Sequence, residues 1–193
     1  MEGLGGRGDG MMLAELKRSG IAWQGNVPAS WNRAKLFRIS KSISSGGTPS
    51  SSSQDLYGGD IPWIQSGDLT DGLVETTAKT ITEEALEKSA AKIFPKGTLL
   101  IALYGATIGK LGVMGMDAAT NQACCAIQLT NEIIPRFGYY LLHGMRRYLL
   151  SLAYGGSQPN ISQQLVKQQY FFYPDRCEQQ RIADYLDASC EAI

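Results

Sequence analysis

Amide and hydroxyl side chains are concentrated in two short polar stretches of the sequence. One is Asn121-Gln122, and the other is Ser157-Gln158 with Asn160 close behind. Asn and Gln each carry a donor and an acceptor in one planar group, which can pair with the edge of adenine in the DNA major groove. The same residues also stabilise turns, so these stretches indicate either base reading or local loop structure.

Three basic residues complete the candidate DNA-contacting set. Arg146 and Arg147 stand near the end of a predicted helix, just before the second polar stretch. In that position they could hold phosphates or read guanine. Lys110 ends a glycine-rich stretch and could touch a phosphate.

That glycine-rich stretch, LYGATIGKLG at 103–112, has some likeness to a nucleotide-binding loop. A P-loop needs four residues between its first glycine and the Gly-Lys pair, followed by Ser or Thr. Here three residues separate Gly105 from Gly109, and Leu111 stands at the hydroxyl position. We therefore expect the two glycines to form a tight turn between strands, using positive φ and allowing close approach of neighbouring chain.

The sequence contains no recognisable catalytic set. His143 is the single histidine and lies within a predicted helix, where we expect a structural role. Asp68 and Asp71 flank a predicted turn and are expected to bond to its backbone. AELK at 14–17 has the acidic-x-Lys spacing of some nucleases but lacks further acidic companions, and the Asn/Asp-Pro-Pro-aromatic motif of adenine methyltransferases is absent. We expect no catalytic activity in this chain.

The cysteines do not predict a metal site. They show no CxxC spacing, and with one histidine they make no zinc-binding set. We expect buried or neutral thiols in a reducing cytoplasm, with no metal and no cofactor on this chain. The cysteines are Cys124, Cys125, Cys177 and Cys190.

Composition and charge describe an ordinary globular protein with charge distributed unevenly along the sequence. The chain has 193 residues, is 44% hydrophobic and 19% charged, and has a net charge of zero. No apolar run approaches the ~20 residues that span a bilayer, and the start of the chain lacks the apolar core of a signal peptide, which predicts a cytoplasmic protein without a membrane partner.

Residues 88–174 hold eight basic and two acidic residues, a charge of +6, so the remainder carries −6. Such a field can attract a polyanion to one face, although chance alone could produce it.

The pattern of apolar residues predicts an α+β fold with a curved, largely antiparallel sheet and flanking helices. Residues 1–19 are glycine-rich and predicted to be a flexible leader, and 20–174 form the main domain. Strands are predicted at 34–39, 98–104 and 123–129. Helices are predicted after the N-cap Thr82, from Pro135 as first residue, and near Ser162.

The last segment, 175–193, predicts a coiled-coil type of helix. Asp175 and Glu178 have the spacing of a capping box. An apolar stripe follows at helical spacing and is still running where the sequence stops, which predicts a partner helix. The predicted oligomerisation residues are Ile182, Tyr185, Leu186 and Ile193.

Several stretches in this order resemble the DNA specificity (S) subunit of type I restriction–modification systems. They are SGGTPS, GGDIPWIQSGDL, ITEEAL, AKIFPKGTLLIALYGATIGKLGV, ATNQACCAI, GGSQPNIS and EQQRIADYLD. The resemblance implies a target recognition domain at 20–174 that reads a few base pairs of double-stranded DNA, followed by the start of a conserved spacer helix. Full subunits have two such units in tandem, whereas each motif occurs once here, which implies a half-subunit that dimerises or a piece of a longer protein.

The resemblance also implies partners. These are modification (methyltransferase) subunits that bind S-adenosylmethionine, a restriction subunit that uses ATP and magnesium, and a second recognition domain in cis or in a homodimer. In this family the base-contacting residues vary with the target. Two other interpretations of the sequence remain open: a β-rich protein-interaction or glycan-binding module with an oligomerising helix, and an unrecognised nuclease.

Overall fold

The computed structural model describes residues 15–156 and 159–191. This part of the chain contains short strands, four helices and three single turns of 3-10 helix. The strands are β1 (Leu16–Arg18), β2 (Asn26–Pro28), β3 (Asn32–Lys35), β4 (Ser40–Ser45), β5 (Tyr57–Ile64), β6 (Gly72–Val74), β7 (Lys79–Ile81), β8 (Ile93–Phe94), β9 (Leu99–Ala102), β10 (Leu111–Met114), β11 (Ala118–Thr120), β12 (Cys124–Leu129) and β13 (Tyr170–Tyr173). The helices are α1 (Glu83–Glu87), α2 (Pro135–Ser151), α3 (Gln163–Lys167) and α4 (Arg176–Glu191).

The strands form two main sheets and two short ribbons. The larger sheet has the order β4-β12-β9-β10-β6, and the smaller has the order β7-β5-β11-β8. The ribbons pair β1 with β2 and β13 with β3. In the described chain, β10–β6 and β11–β5 are the parallel pairs and the other pairs are antiparallel, so the predicted largely antiparallel α+β architecture is confirmed.

The two sheets pack face to face because their central strands bury side chains on both faces. Along β9, Leu99 and Ile101 join the core under α2, while Leu100 and Ala102 join the core between the sheets. β12 alternates in the same way. Strands that are buried on both faces have continuous apolar sequences, which explains LLIA and CCAI. A third, smaller core lies between the second sheet and α1, around Trp63.

The helices begin where local sequence signals place them. Thr82 and Ser162 cap α1 and α3, each accepting a hydrogen bond from the backbone N–H three residues on. Pro135 is the first residue of α2, as predicted. Asp175 accepts from Glu178 N–H at 3.0 Å, but the Glu178 carboxylate accepts from Trp31 Nε1 instead of completing the capping box.

Several predicted boundaries differ from the structure. Leu16–Arg18, expected in the flexible leader, pair with Asn26–Pro28; residues 1–14 lie outside the described part. The strand predicted at 34–39 is β3 followed by a 3-10 turn at Leu36–Arg38.

The C-terminal helix is attached to the domain more firmly than the sequence predicted. Gln179 is fully buried, and its amide accepts from Ile134 N–H at 2.9 Å and donates to the carbonyls of Glu132 and Pro174, each at 2.9 Å. Both the oxygen and the nitrogen of this buried amide have hydrogen-bond partners. Gln179 therefore fixes α4 beside the start of α2.

The predicted apolar stripe of α4 is divided between the domain and solvent. Ile182 packs against the main core and Leu186 lines a groove beside α2, whereas Tyr185 is 72% exposed. The pairing of this stripe with a partner helix stays a prediction. The fourth predicted member, Ile193, lies outside the described residues.

No helix within 15–156 and 159–191 has the length and apolar character needed to cross a membrane.

Candidate nucleic-acid interface

The strand register brings several turns together at one end of the larger sheet. β4 ends at Ser45 opposite Cys125, and β9 ends at Ala102 opposite Cys124. The turn after β4, the turn after β9 and the turn before β12 therefore meet, and the chain around Asn160 joins them. We call this set the loop end: residues 46–48, 103–110, 121–123, 154–156 and 159–160.

The glycine turn of the loop end has the conformation expected from the sequence. Gly105 and Gly109 have φ of 81° and 78°, and Gly109 N–H donates to Ala102 O at 2.8 Å. A Cβ on Gly109 would lie 3.3 Å from Leu150, so α2 passes close to this turn. The turn leaves the Lys110 side chain exposed beside the other loops.

Gln122 is a polar side chain of the loop end that a neighbouring loop holds. It is exposed, and its Oε1 accepts a hydrogen bond from the Thr48 hydroxyl. Burial raises the pKa of the nearby Tyr104 hydroxyl, and hydrogen bonding from the Gln122 side chain opposes the rise. A Gln amide has two acceptor sites and two donors, so these contacts leave at least one acceptor and one donor.

Asn160 is held through its backbone. Its N–H donates to Tyr154 O at 2.7 Å, and its carbonyl accepts from Tyr154 N–H at 3.2 Å. Ile161 N–H then donates to Leu103 O at 2.8 Å, which ties the segment to the turn after β9. The Asn160 side chain is half-buried at this position, next to the exposed Tyr154. Ser157 and Gln158, the neighbouring predicted contacts, lie outside the described residues.

Two of the predicted DNA contacts, Asn121 and Arg146, have partners within the domain. Asn121 is only 9% exposed, and its Oδ1 accepts from Ala123 N–H at 3.1 Å, so it shapes the turn that presents Gln122. Arg146 forms an ion pair with Asp71, and its side chain is only 22% exposed. Arg147, the next residue of α2, is exposed and remains a predicted contact.

Asp71 has a structural role, but its side chain bonds to residues distant in sequence instead of making the predicted bonds to the backbone of its own turn. Its φ is +64°, and its Oδ1 accepts from Leu111 N–H at 2.9 Å. Asp68 accepts from Gln65 N–H at 2.8 Å.

The sequence interpretation missed Thr48 and the SGGTPS loop around it. A Cβ on Gly46 would lie 2.0 Å from Thr120 O, and one on Gly47 would lie 2.6 Å from Ala90 C. Only glycine permits this packing, which places Thr48 against Gln122. The adjacent glycines in SGGTPS are the signal that could have found it. A groove of about 510 Å³ opens beside Thr48, lined also by Gln54, Gln65 and Lys79.

The cysteines of the described chain differ in their exposure. Cys124 and Cys125 are buried, and burial raises the pKa of each thiol to about 12, as expected for neutral thiols. Cys177 is exposed. Among residues 15–156 and 159–191, no three His, Cys, Asp or Glu side chains are placed to hold a metal ion.

Comparison with known proteins identifies the class of this domain. The model of the type I restriction modification DNA specificity domain matches residues 28–193, and the chain belongs to this family. It is 32% identical over 167 residues to the type I restriction enzyme MjaIX specificity subunit of Methanocaldococcus jannaschii, which covers 84% of this chain and 38% of that protein. It is 29% identical over 148 residues to the EcoR124I/EcoR124II specificity subunit of Escherichia coli, covering 74% of this chain and 37% of that protein.

Solved structures have the same fold. The HsdS subunit from Thermoanaerobacter tengcongensis matches with a TM-score of 0.70 at 20% identity, over 92% of this chain and 40% of that one. The S subunit from M. genitalium matches with a TM-score of 0.60 at 18% identity, over 83% and 39%. The present chain thus spans well under half the length of the relatives it matches.

Proposed function

We propose that this chain is a target recognition domain that reads one half of a split DNA site through its loop end. The observation that carries the proposal is the exposed Gln122 amide, which the Thr48 hydroxyl holds in place while at least one donor and one acceptor stay available. An adenine edge in the major groove offers the matching acceptor and donor. Membership of the DNA specificity domain family supports the same conclusion.

The neighbouring residues divide the work of binding. Asn160 supplies a second amide beside Gln122, and the exposed Lys110 and Arg147 supply charge for phosphates. Phosphate contacts position a protein on DNA, whereas amide contacts to base edges select sequence. We assign Asn121 and Arg146 to the support of this surface.

The length of the chain supports a two-domain working unit. Its relatives are more than twice as long, so a second recognition domain belongs either to the same longer protein or to a second copy. We propose that α4 contributes to joining the two domains, with Tyr185 on its exposed side. Two joined domains would bind two DNA half-sites at a fixed separation.

Catalysis belongs to partners in this proposal. The chain would direct modification subunits that bind S-adenosylmethionine and a restriction subunit that uses ATP and magnesium, and would itself be non-catalytic and cofactor-free. The names of the relatives, all specificity subunits of restriction enzymes, support this assignment. The cytoplasmic location stays a prediction.

A selection experiment tests the proposal. The parent chain, Gln122→Ala and Asn160→Ala are each incubated with a library of random DNA duplexes, and the bound fraction is sequenced. We expect the parent to enrich a short motif and each variant to lose discrimination at a base position by about 1–3 kcal/mol, or roughly 5- to 150-fold. Gln180→Ala, which removes an exposed amide on α4, is the matched control and should leave the motif unchanged.

Two results would contradict the proposal. Enrichment of no motif by the folded parent would remove the assignment of sequence reading. Binding to duplexes that does not weaken with salt would point to the interaction or glycan-binding alternative, because a DNA reader that neutralises phosphates loses affinity steeply with salt.

A further inference from the structure

A second positive surface lies along the outer edge of the larger sheet, and most of its charge comes from outside residues 88–174. Residues 15–45 hold six basic residues and one acidic residue, a net charge of +5. The fold brings four of these basic residues, on β3, the 3-10 turn and β4, next to the end of α3. We call this surface the basic edge: Arg33, Lys35, Arg38, Lys41 and Lys167.

Aromatic rings hold part of the basic edge in order. β3 pairs with β13 so that Lys35 lies opposite Tyr170 and Arg33 opposite Phe172. The Arg33 guanidinium stacks over Tyr170 at 4.1 Å, and Lys35 Nζ lies 5.2 Å from the same ring. Side chains that are already ordered lose less conformational freedom when they bind a ligand.

The charge of the basic edge is not neutralised within the described chain. The ion pairs found among residues 15–156 and 159–191 are Lys88–Glu84, Arg136 with Asp184 and Asp187, and Arg146–Asp71, all of them elsewhere. Lys35 instead donates to the neutral Gln168 amide at 2.6 Å. A groove of about 320 Å³ between β4 and the end of α3 adds Lys41 and Lys167 to the same surface.

Spacing favours a polyanion over a single acidic group. Arg33 and Lys35 are two residues apart on one strand, so they point to the same face about 6.6 Å apart. Double-stranded DNA carries one negative charge per ~1.7 Å of its axis. Cations spaced along a β-strand can therefore each meet a phosphate.

The basic edge lies close enough to the loop end to touch the same duplex. Gln163, at the start of α3, donates to Ser45 at the end of β4, at 2.8 Å. Gln168, just past α3, accepts from Lys35. Gln163 and Gln168 are five residues apart, which corresponds to about 7.5 Å of helical rise. This separation is well below the ~34 Å of one turn of DNA.

We propose that the basic edge binds DNA phosphates flanking the base pairs that the loop end reads, independently of their sequence. This inference rests on the proposed function. The basic edge would supply affinity and its salt dependence, and the loop end would supply discrimination. Acidic protein surfaces are the competing occupant and form one arm of the test.

The test compares double variants across a salt series. For Arg33→Gln/Lys35→Gln and, separately, Lys41→Gln/Lys167→Gln, affinity for the preferred duplex and for a scrambled duplex is measured. We expect both affinities to fall by the same factor, and the slope of log K against log salt to flatten by about one to two units, since each lost phosphate contact removes about 0.9. Lys88→Gln/Lys92→Gln is the control: it removes equal charge beside α1, including a cation stacked on Phe94, and should keep the parental slope.

Circular dichroism and thermal melting establish first that each variant is folded, and the second pair removes no stacked cation. If both folded pairs keep the parental affinity and slope while Gln122→Ala alters preference, this inference is overturned and the proposed function stands. If the parent itself shows no salt-dependent duplex binding, the proposed function fails as well. If the pairs lose only binding to a partner subunit, the basic edge is a protein-docking surface and the inference is overturned.

Discussion

The loop end and the basic edge use polar side chains in opposite ways. At the loop end, neutral groups are fixed by one another, as Gln122 is by Thr48 and Tyr104. At the basic edge, cations lie on aromatic rings, as Arg33 does on Tyr170, and keep their charge. Fixed donors and acceptors can discriminate between bases, whereas unneutralised charge attracts any phosphate backbone.

Two arginines show that residue type alone does not decide the role. Arg33 is exposed and stacked on a ring, while Arg146 is mostly buried and paired with Asp71. The first keeps its donors for an external anion, and the second uses them to join α2 to the turn before β6. A partner carboxylate therefore converts a candidate phosphate contact into part of the scaffold.

The largest effect should come from the glycines that support the loop end. In Gly46→Ala, the new methyl group would lie 2.0 Å from Thr120 O, a backbone atom of the neighbouring sheet. Relief requires movement of the SGGTPS loop or of β11, so we expect a loss of about 3 kcal/mol or more of unfolding free energy. Gly67→Ala is the control, since a Cβ there meets nothing within 4 Å, and it should change stability by less than about 0.5 kcal/mol. Equal denaturation midpoints for the two variants would show that the loop is not packed as described.

A smaller effect should separate Arg146 from Arg147. Asp71→Asn keeps a residue that tolerates positive φ but removes the charge facing Arg146, whose Nε is buried without a hydrogen-bond partner in the described chain. We expect Asp71→Asn and Arg146→Ala each to lose about 1–3 kcal/mol of stability, below the value for a fully buried pair because both side chains keep some exposure.

Arg147→Ala is the matched control for that pair of variants. It should leave stability within about 0.5 kcal/mol of the parent in urea denaturation, because its side chain is exposed. Should Arg146→Ala keep full stability and weaken DNA binding, the original prediction of a phosphate contact at Arg146 would be restored.

The sequence predicted those parts of the molecule that depend on nearby residues. The caps at Thr82 and Asp175 each involve a partner three residues away, and the positive φ of Gly105 and Gly109 follows from the turn itself. The order of motifs suggested the family, and the family match confirmed that resemblance.

The sequence could not reveal contacts between residues that are distant along the chain. Asp71 is 75 residues from Arg146, and no local pattern signals that pairing. The basic edge was missed for the same reason, because Lys35 and Gln168 are separated by 133 residues and meet only when β3 pairs with β13. Asn121 and Gln122 are adjacent and chemically alike, and only the packing of the turn decides which one is exposed.

The smallest effect on DNA selectivity should come from loosening the Gln122 amide while it stays exposed at the loop end. Tyr104→Phe keeps the ring but removes the hydroxyl that bonds to Gln122, while the Thr48 contact remains. With one of two restraints lost, the amide can rotate, and we expect discrimination at the base read by Gln122 to fall by about 0.5–1 kcal/mol, or roughly two- to fivefold. Tyr154→Phe removes a hydroxyl from a residue that is 60% exposed and should leave preference unchanged. Competition between the preferred duplex and its single-base variants measures the difference at fixed salt, and folding should be nearly unaffected since the aromatic ring stays in place.

A variant as selective as the parent would mean that Thr48 alone orients the amide. A loss of affinity spread equally over all sequences would instead assign Tyr104 to the phosphate contacts, and the contrast between the loop end and the basic edge would then weaken.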